Sequence, residues 1–283
     1  MKVAVIGLGL IGGSLCKALK AASSKSYHII AISRKKDALS AAIKMKAADE
    51  ASLNLGAAAD ADIIVIATPV DNIVPIYKKL IPIVKNGAII TDAGSIKEPI
   101  EKQIESLYRK RGFASRGIAL PAYVGAHPMS GKETNGFENS ESGLFKNANV
   151  VITGSIKKSA KNEKIAAKMW LDTGAKIIKM PAKKHDELVA LTSHLPHLMA
   201  FALNKIYRDK RTTDRQIEKI VAGSFYSAIR VASSSADMWA PIFSANKKQI
   251  KKNLSFFIKE LKNFENHLSV QTKIKKQILD AQK

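Results

Sequence analysis

Residues 2–14 read Lys2-Val3-Ala4-Val5-Ile6-Gly7-Leu8-Gly9-Leu10-Ile11-Gly12-Gly13-Ser14, and this stretch decides the fold. Its first five residues are apolar apart from the lysine and rich in β-branched side chains, which predicts a strand buried in a parallel sheet. A Gly-x-Gly-x-x-Gly run follows, and the pattern then becomes helical. Strand, glycine turn and helix in this order predict a dinucleotide-binding site, with FAD or a methyl donor as open alternatives.

Each glycine of the run has a distinct use in such a site. Gly7 permits the tight turn, Gly9 lets the backbone approach a pyrophosphate, and Gly12 lets the helix pack on the strand. The helix opens at Leu10 and Ile11, where unpaired N–H groups and the positive end of the helix dipole attract phosphate. We therefore count all five residues as cofactor-binding candidates.

The composition restricts the class of protein. A length of 283 residues predicts one or two domains, and a single cysteine excludes an internal disulfide and a cysteine-based zinc cluster. The 46 basic against 24 acidic residues give a net charge of +22, which raises the question of a nucleic-acid partner. The basic residues are spread along the chain, however, and aromatic residues that could stack on bases are few, so solvated faces or an anionic substrate explain the charge more simply.

No apolar run reaches the roughly 18 residues that a membrane span needs. The first predicted strand begins at residue 2, which leaves no room for a leader peptide before the fold. We therefore expect a cytoplasmic protein without a membrane partner.

Strand and helix patterns alternate through the first 181 residues. The pattern predicts further strands over 27–33, 60–68, 88–92, 122–127, 150–153 and 175–180, with helices over 37–49, 71–84 and 160–172 among them. This alternation is typical of an α/β fold with a doubly wound parallel sheet. After Pro181 only helical periodicity remains, so we place a domain boundary there, between 1–181 and 182–283.

The ends of two predicted strands bear on the cofactor. A site for NAD usually has an acidic residue at the end of the second strand, but this chain has Ser33-Arg34 there. A hydroxyl and a guanidinium suit the 2′-phosphate of NADP, although a solvated basic loop would look the same. We expect NADP and leave NAD open. Thr68 and Pro69 end another strand, where cofactor-binding loops leave the sheet.

Ser95 and His127 follow later strands toward the same edge of the sheet. Ser95 precedes a predicted helix, so its hydroxyl can be an N-cap paired with Glu98, a group that faces a ligand, or both. His127 stands between glycine and proline on a fixed turn, where a neutral imidazole could accept a proton.

The helical part carries more candidates. His194 and His197 lie three residues apart on one helical face, but no carboxylate accompanies them at a supporting spacing, so we predict no metal site. His185-Asp186 could belong to a metal phosphohydrolase, yet the further ligands are not evident. Arg230 is one cation in the otherwise uncharged run 220–236, where it needs a structural carboxylate or an anionic substrate as its partner.

Taken together, five stretches resemble the prephenate/arogenate dehydrogenases of tyrosine biosynthesis. They cover the chain from residue 1 to about 243, and the set is far more specific than the glycine motif alone. The stretches are Gly7–Ser14, Thr91–Lys97, Gly125–Gly131, Ser193–His197 and Arg230 with Met238-Trp239.

The resemblance implies an N-terminal Rossmann-type domain followed by an all-α dimerisation domain, and hence a homodimer. It implies oxidative decarboxylation, in which hydride passes to NAD(P)+ and the ring of prephenate or arogenate becomes aromatic. By position, His127 is the catalytic base and Ser95 orients it, whereas Arg230 and His197 bind the substrate and His194 lies nearby.

Two other functions stay open at this point. One is another two-domain Rossmann dehydrogenase or imine reductase, although such enzymes generally use a helical lysine where this chain offers His127 within Gly-x-His-Pro. The other is a basic nucleotide-binding or nucleic-acid-binding protein.

Overall fold

The computed structural model describes residues 1–22, 27–109, 120–132, 134–156 and 159–282. It contains two compact units. The first comprises Met1–Asp186 together with Ser233–Ala245, and the second comprises Glu187–Ala232 together with Asn246–Lys283.

The first unit is built on one mixed sheet, which has eight strands within the described residues. The strands are β1 (Lys2–Ile6), β2 (His28–Ile32), β3 (Glu50–Ser52), β4 (Ile63–Ile66), β5 (Ile89–Asp92), β6 (Ala122–Pro128), β7 (Asn149–Ser155) and β8 (Lys176–Lys179). Their order in the sheet is β3-β2-β1-β4-β5-β6-β7-β8. The chain reverses its direction of winding between β1 and β4, which is the arrangement of a doubly wound sheet.

Helices connect most of these strands. Those of the first unit are α1 (Leu10–Ala21), α2 (Lys36–Lys44), α3 (Val70–Leu80), α4 (Glu98–Arg109) and α5 (Ala160–Leu171), and α6 (Ala182–Val189) follows the last strand. The later helices are α7 (Leu195–Thr213), α8 (Ile217–Ile220), α9 (Gly223–Ile229), α10 (Ala236–Ala245), α11 (Lys247–His267) and α12 (Gln271–Ala281). Described residues beyond 181 form helices and turns, so the predicted change from α/β to all-α is confirmed.

The predicted doubly wound sheet is parallel except at one pair of strands. β6 and β7 run antiparallel, with His127 opposite Val151, whereas the other neighbouring pairs are parallel. A parallel connection needs a crossover, usually a helix, but the polar residues after β6 form turns instead. The chain therefore returns beside β6 in the opposite direction.

The predicted helix over 37–49 is too long. Helix α2 ends at Lys44, and Lys46 has a φ of 53°, a left-handed conformation that a helix cannot include. The residues that follow form the short edge strand β3, which the sequence pattern did not indicate.

Apolar side chains on both faces of the sheet form the core of the first unit. All four residues of β4 are fully buried, which explains why the strand reads as a continuous apolar run. Helix α1 packs Leu15 and Leu19 against one face, and Trp170 of α5 meets Phe145 edge to face at 5.3 Å between ring centroids.

Helix α10 also belongs to the first unit, although it lies beyond residue 181. It packs against α3, and Trp239 and Ile242 on it are buried. The boundary at residue 181 stays a prediction about the domains.

The second unit is helical throughout its described part. A π-helical turn (Ala190–His194) joins α6 to α7 and ends two residues before Pro196, whose missing N–H interrupts regular helical hydrogen bonding. A search of the described residues for a helix long and apolar enough to cross a membrane finds none.

Candidate active site

The carboxyl ends of five parallel strands lie at one edge of the sheet. Each end carries a residue that the sequence singled out, and the two strands at the reversal of winding, β1 and β4, are the usual place for a ligand in such a sheet. These residues are Gly7, Ser33, Thr68, Ser95 and His127.

The glycine turn after β1 has the backbone that a phosphate site needs. Gly7 has a φ of +102°, and a Cβ there would come within 2.6 Å of the Ala67 carbonyl oxygen. A Cβ on Gly12 would overlap with the Gly7 carbonyl, so only glycine lets the helix approach this closely. A Cβ on Gly9, in contrast, would meet no atom within 4 Å, which leaves space where a pyrophosphate would bind.

Helix α1 points its N-terminus into that space. Gly9 is its N-cap and provides no side-chain cap, and the first helical hydrogen bond runs from Gly13 N–H to the Gly9 carbonyl. The N–H groups of the preceding turn, including Leu10 and Ile11, have no acceptor within the helix itself. These residues fit the phosphates of a dinucleotide cofactor.

Ser33 and Arg34 follow β2 at the same edge. Ser33 is half-buried, and its hydroxyl accepts a hydrogen bond from the Lys35 N–H at 3.2 Å, which fixes the turn. Arg34 is exposed, so its guanidinium can reach a ligand. Thr68 and Pro69 form the turn after β4, where the Thr68 methyl group lies beside Gly7.

His127 is held by a buried partner. Its Nδ1 lies 2.8 Å from Nε2 of His185, and Nδ1 of His185 lies 2.7 Å from Oδ1 of Asp186. His185 and Asp186 are each only 1% exposed, whereas His127 is half-buried at the end of β6. The sequence set His185-Asp186 aside as an incomplete metal site, and its contact with His127 was not foreseen.

The N-cap expected at Ser95 is wrong. Helix α4 begins at Glu98, and the carboxylate of Asp186 accepts hydrogen bonds from the N–H groups of Lys97 at 3.0 Å and Glu98 at 2.8 Å. A residue 88 positions along the chain therefore caps the helix, and the half-buried Ser95 keeps only its alternative interpretation as a ligand-facing hydroxyl.

A buried ion pair supports this edge from below. Lys97 and Asp92 are both 0% exposed, and the ammonium donates to the Asp92 carboxylate and to the carbonyl of Ala126 at 2.8 Å. Asp92 also accepts from the Tyr123 hydroxyl at 2.9 Å. Sequence reasoning missed this pair, and the available signal was an acid at the end of an apolar strand with a lysine five residues later.

Glu101 lies beside the ion pair on α4. Burial raises the pKa of its carboxyl group to about 7, while the hydroxyl of Thr153 and the charge of Lys97 oppose part of that rise. A Cβ on Gly125 would come within 2.6 Å of Glu101 Oε1, so the glycine before Ala126-His127 makes room for this carboxyl group.

The remaining candidates lie in the second unit. His194 is buried, and its Nδ1 is 3.2 Å from Nδ2 of Asn246. Nδ1 of His197 is 2.9 Å from the Ser193 carbonyl oxygen, and burial lowers the pKa of His197, partly offset by that bond.

Arg230 begins a 3₁₀ turn (Arg230–Ser233) and is exposed. Among the described residues, no group of three histidine, cysteine or acidic side chains could hold a metal ion.

Comparison with known protein families agrees with this arrangement. Residues 15–179 match the family model described as "Prephenate dehydrogenase, nucleotide-binding domain", and residues 181–277 match the one described as "Prephenate dehydrogenase, dimerization domain". The chain belongs to the prephenate dehydrogenase family. The resemblance inferred from the five stretches is thereby confirmed, and the protein is a dehydrogenase.

Individual members of the prephenate dehydrogenase family are similar over nearly the whole chain. A cyclohexadienyl dehydrogenase from Zymomonas mobilis is 30% identical over 95% of this chain and 89% of its own length. Prephenate dehydrogenase from A. aeolicus, solved in complex with hydroxyphenyl propionate and NAD+, has a TM-score of 0.89 at 27% identity and covers 100% of this chain and 96% of its own. Arogenate dehydrogenase from Synechocystis has a TM-score of 0.80 at 26% identity, with 100% and 98% covered.

Proposed function

We propose that this chain catalyses the oxidative decarboxylation of prephenate or arogenate, with NADP as the preferred cofactor. The observation that carries the proposal is the placement of His127. Its imidazole is held through Nδ1 by a buried partner at the sheet edge where the glycine turn offers a phosphate site.

His127 supplies the proton acceptor. As the hydride leaves the ring carbon that bears the hydroxyl group, that carbon gains carbonyl character and its hydroxyl proton becomes acidic. His127 takes this proton. The bond to the ring carboxylate then breaks, carbon dioxide leaves, and the electron pair completes the aromatic ring. The proton returns to the phenol oxygen, so His127 ends the cycle neutral.

A bound nicotinamide cofactor supplies the hydride acceptor, and the protein contributes alignment and charge. Ser95 hydrogen-bonds the same substrate hydroxyl and orients His127. Arg230 binds a substrate carboxylate through its guanidinium fork. Because burial lowers the pKa of His197, this side chain assists as a neutral hydrogen-bonding group, and His194 lies near the substrate without touching the reacting atoms.

The preference for NADP rests on the end of β2. An acidic residue there would repel a 2′-phosphate, whereas Ser33 with the exposed Arg34 provides a hydroxyl and a cation. Gly7, Gly9, Leu10, Ile11 and Gly12 bind the pyrophosphate, and Thr68 and Pro69 bound the same space.

We assign residues 1–181 to cofactor binding and 182–283 to substrate binding and dimerisation, and we propose a homodimer. The second family model carries the description of a dimerization domain, and the second unit exposes large apolar side chains that a subunit contact would bury. Examples are Ile206 at 66%, Ile220 at 78% and Leu268 at 70% exposure. Light scattering of the purified protein measures the mass, and a monomer would contradict the proposal.

The decisive experiment measures initial rates of nicotinamide reduction with prephenate and arogenate, each paired with NAD+ and NADP+. Turnover of either substrate supports the proposal, and the four rates identify substrate and cofactor together. His127→Asn should bind NADP+ as the wild type does and lose roughly 100-fold or more in kcat. A folded wild-type protein that binds NADP+ but oxidises neither substrate would refute the function.

A matched pair of variants tests the cofactor preference. Ser33→Asp combined with Arg34→Asn should move the ratio of kcat/KM toward NAD+, whereas the exposed Lys36→Asn should leave that ratio unchanged. An unaltered ratio in the double variant would mean that other residues recognise the 2′-phosphate.

A further inference from the structure

A continuous hydrogen-bonded chain runs from His127 into the interior of the first unit. The two imidazole rings meet edge to face, at 79° and 5.0 Å between centroids, so that Nδ1 of His127 faces Nε2 of His185. Nδ1 of His185 in turn forms a hydrogen bond with Asp186. Because His185 and Asp186 are almost completely buried, water does not compete for these bonds.

The acceptor at the inner end determines where the hydrogens lie. A carboxylate only accepts, so Asp186 takes a hydrogen bond from Nδ1–H of His185. A neutral His185 with its hydrogen on Nδ1 has a lone pair on Nε2, and that atom must accept from Nδ1–H of His127. His127 therefore carries its own lone pair on Nε2, at the opposite side of the ring.

Asp186 also connects the segment that follows β5 to the hydrogen-bonded chain of His127 and His185. Oδ1 accepts from the Lys97 N–H and Oδ2 from the Glu98 N–H, at the N-terminus of the twelve-residue helix α4, where a negative charge is favourable. Lys97 comes two residues after Ser95. One carboxylate thus connects the segment that carries Ser95 to the imidazole at the end of β6.

The charged groups near these three residues include the Lys97–Asp92 ion pair and Glu101. Lys97 and Asp92 neutralise each other below His127, and the Lys97 ammonium also binds the carbonyl of Ala126. Glu101 lies close enough to Asp186 for the two carboxyl groups to repel each other. Asp186 is the carboxylate that His185 contacts directly, at 2.7 Å.

We propose that His185 and Asp186 are positioning residues, which hold His127 in the tautomer whose Nε2 accepts the substrate proton and keep the Ser95 segment in register with it. This inference rests on the proposed function for its kinetic consequences, but the tautomer itself is a property of the protein without substrate. When His127 becomes charged, the polarised His185 and the Asp186 carboxylate stabilise the imidazolium.

A purely structural role would have a different signature. If Asp186 served only to cap α4, its loss would lower stability and leave the protonation of His127 unchanged. If the chain positions His127, removing the acceptor of Nδ1–H destabilises the imidazolium, so the acid limb of the pH profile of kcat/KM moves to lower pH.

Three variants separate these roles. His185→Phe keeps an aromatic ring but offers no acceptor, and His185→Gln offers an amide oxygen in its place. Asp186→Asn cannot accept at both carboxylate positions. We expect kcat to fall at least about 10-fold in His185→Phe and Asp186→Asn, with a smaller loss in His185→Gln and with NADP+ affinity within about twofold of the wild type. Glu187→Gln removes the neighbouring carboxylate and is the matched control.

Nitrogen-15 NMR of the imidazole rings tests the tautomer in the cofactor-free protein. At a pH where both rings are neutral, His127 and His185 should each show a protonated Nδ1 and an unprotonated Nε2. A His127 that carries its hydrogen on Nε2 would overturn the inference, as would variants whose acid limb coincides with that of the wild type. Because the NMR result needs no turnover, it stands even if prephenate and arogenate both prove not to be substrates.

Discussion

Lys97→Met probes the ion pair beneath the proposed base. Methionine keeps most of the length of the side chain but removes the ammonium, and the fully buried Asp92 carboxylate then has only neutral donors among its described partners. These are the N–H groups of Gly94 at 3.0 Å and Ala126 at 3.1 Å and the hydroxyl of Tyr123 at 2.9 Å. Loss of one partner from a buried pair costs about 3–5 kcal/mol. At about 2–4 °C per kcal/mol for a unit of this size, Tm should fall by roughly 6–20 °C.

Thermal unfolding followed by circular dichroism measures this loss. Lys102→Met is the control, because Lys102 pairs with Glu98 on the surface of α4 at 70% exposure and such pairs contribute about 0–1 kcal/mol. The double variant Asp92→Asn/Lys97→Met removes both charges and should recover a large part of the lost stability. A Lys97→Met protein as stable as the control would refute the reasoning. So would a double variant that loses more stability than Asp92→Asn and Lys97→Met lose together.

Three further outcomes follow from the geometry. Gly9→Ala should keep the wild-type Tm but lose about 100-fold or more in NADP+ affinity, measured by calorimetry. Gly12→Ala should lose NADP+ affinity and also have a lower Tm, because its Cβ overlaps with backbone; equal Tm values for the two variants would contradict this. Arg230→Ala should raise KM, because it removes a charge-assisted contact with the substrate whose loss costs about 2–4 kcal/mol of binding free energy. Arg215→Ala, at another exposed arginine, is the control, and an unchanged KM in Arg230→Ala would assign Arg230 to structure. The pKa of Glu101 is raised from 4.5 to about 7, so the unfolded chain releases this proton first as pH rises, and the wild type loses stability between those two pH values. The Tm of Glu101→Gln should therefore rise relative to that of the wild type from pH 4.5 to 7. Parallel profiles of Tm against pH for the two proteins would disprove the assignment.

The features that the sequence predicts well are local. A strand, a glycine turn and a helix succeed one another within the first 21 residues, and the steric demands on Gly7 and Gly12 are met by atoms of the same turn and its neighbour. Continuous apolar runs predicted the buried parallel strands, because both faces of each such strand are covered. Ser33, Thr68, Ser95 and His127 could be placed at one edge because parallel strands end together.

The features that the sequence did not predict depend on contacts between distant segments. His127 and His185 are 58 residues apart, and no periodicity relates them. The Ser95–Glu98 pattern is a valid capping box by composition, but the distant Asp186 occupies the position that Ser95 would fill. Lys97 and Asp92 are close in sequence, yet only the packing of β6 over them shows that both are buried.

The return of Ser233–Ala245 to the first unit bears on how such a protein can be divided. The chain leaves that unit after Asp186, comes back for α10, and leaves again at Asn246, so the unit is not one uninterrupted length of polypeptide. A fragment ending at residue 181 would lack the helix that covers α3 and the residues that hold His127 and cap α4. Gene fusion or domain exchange at the apparent boundary would thus cut through the first unit.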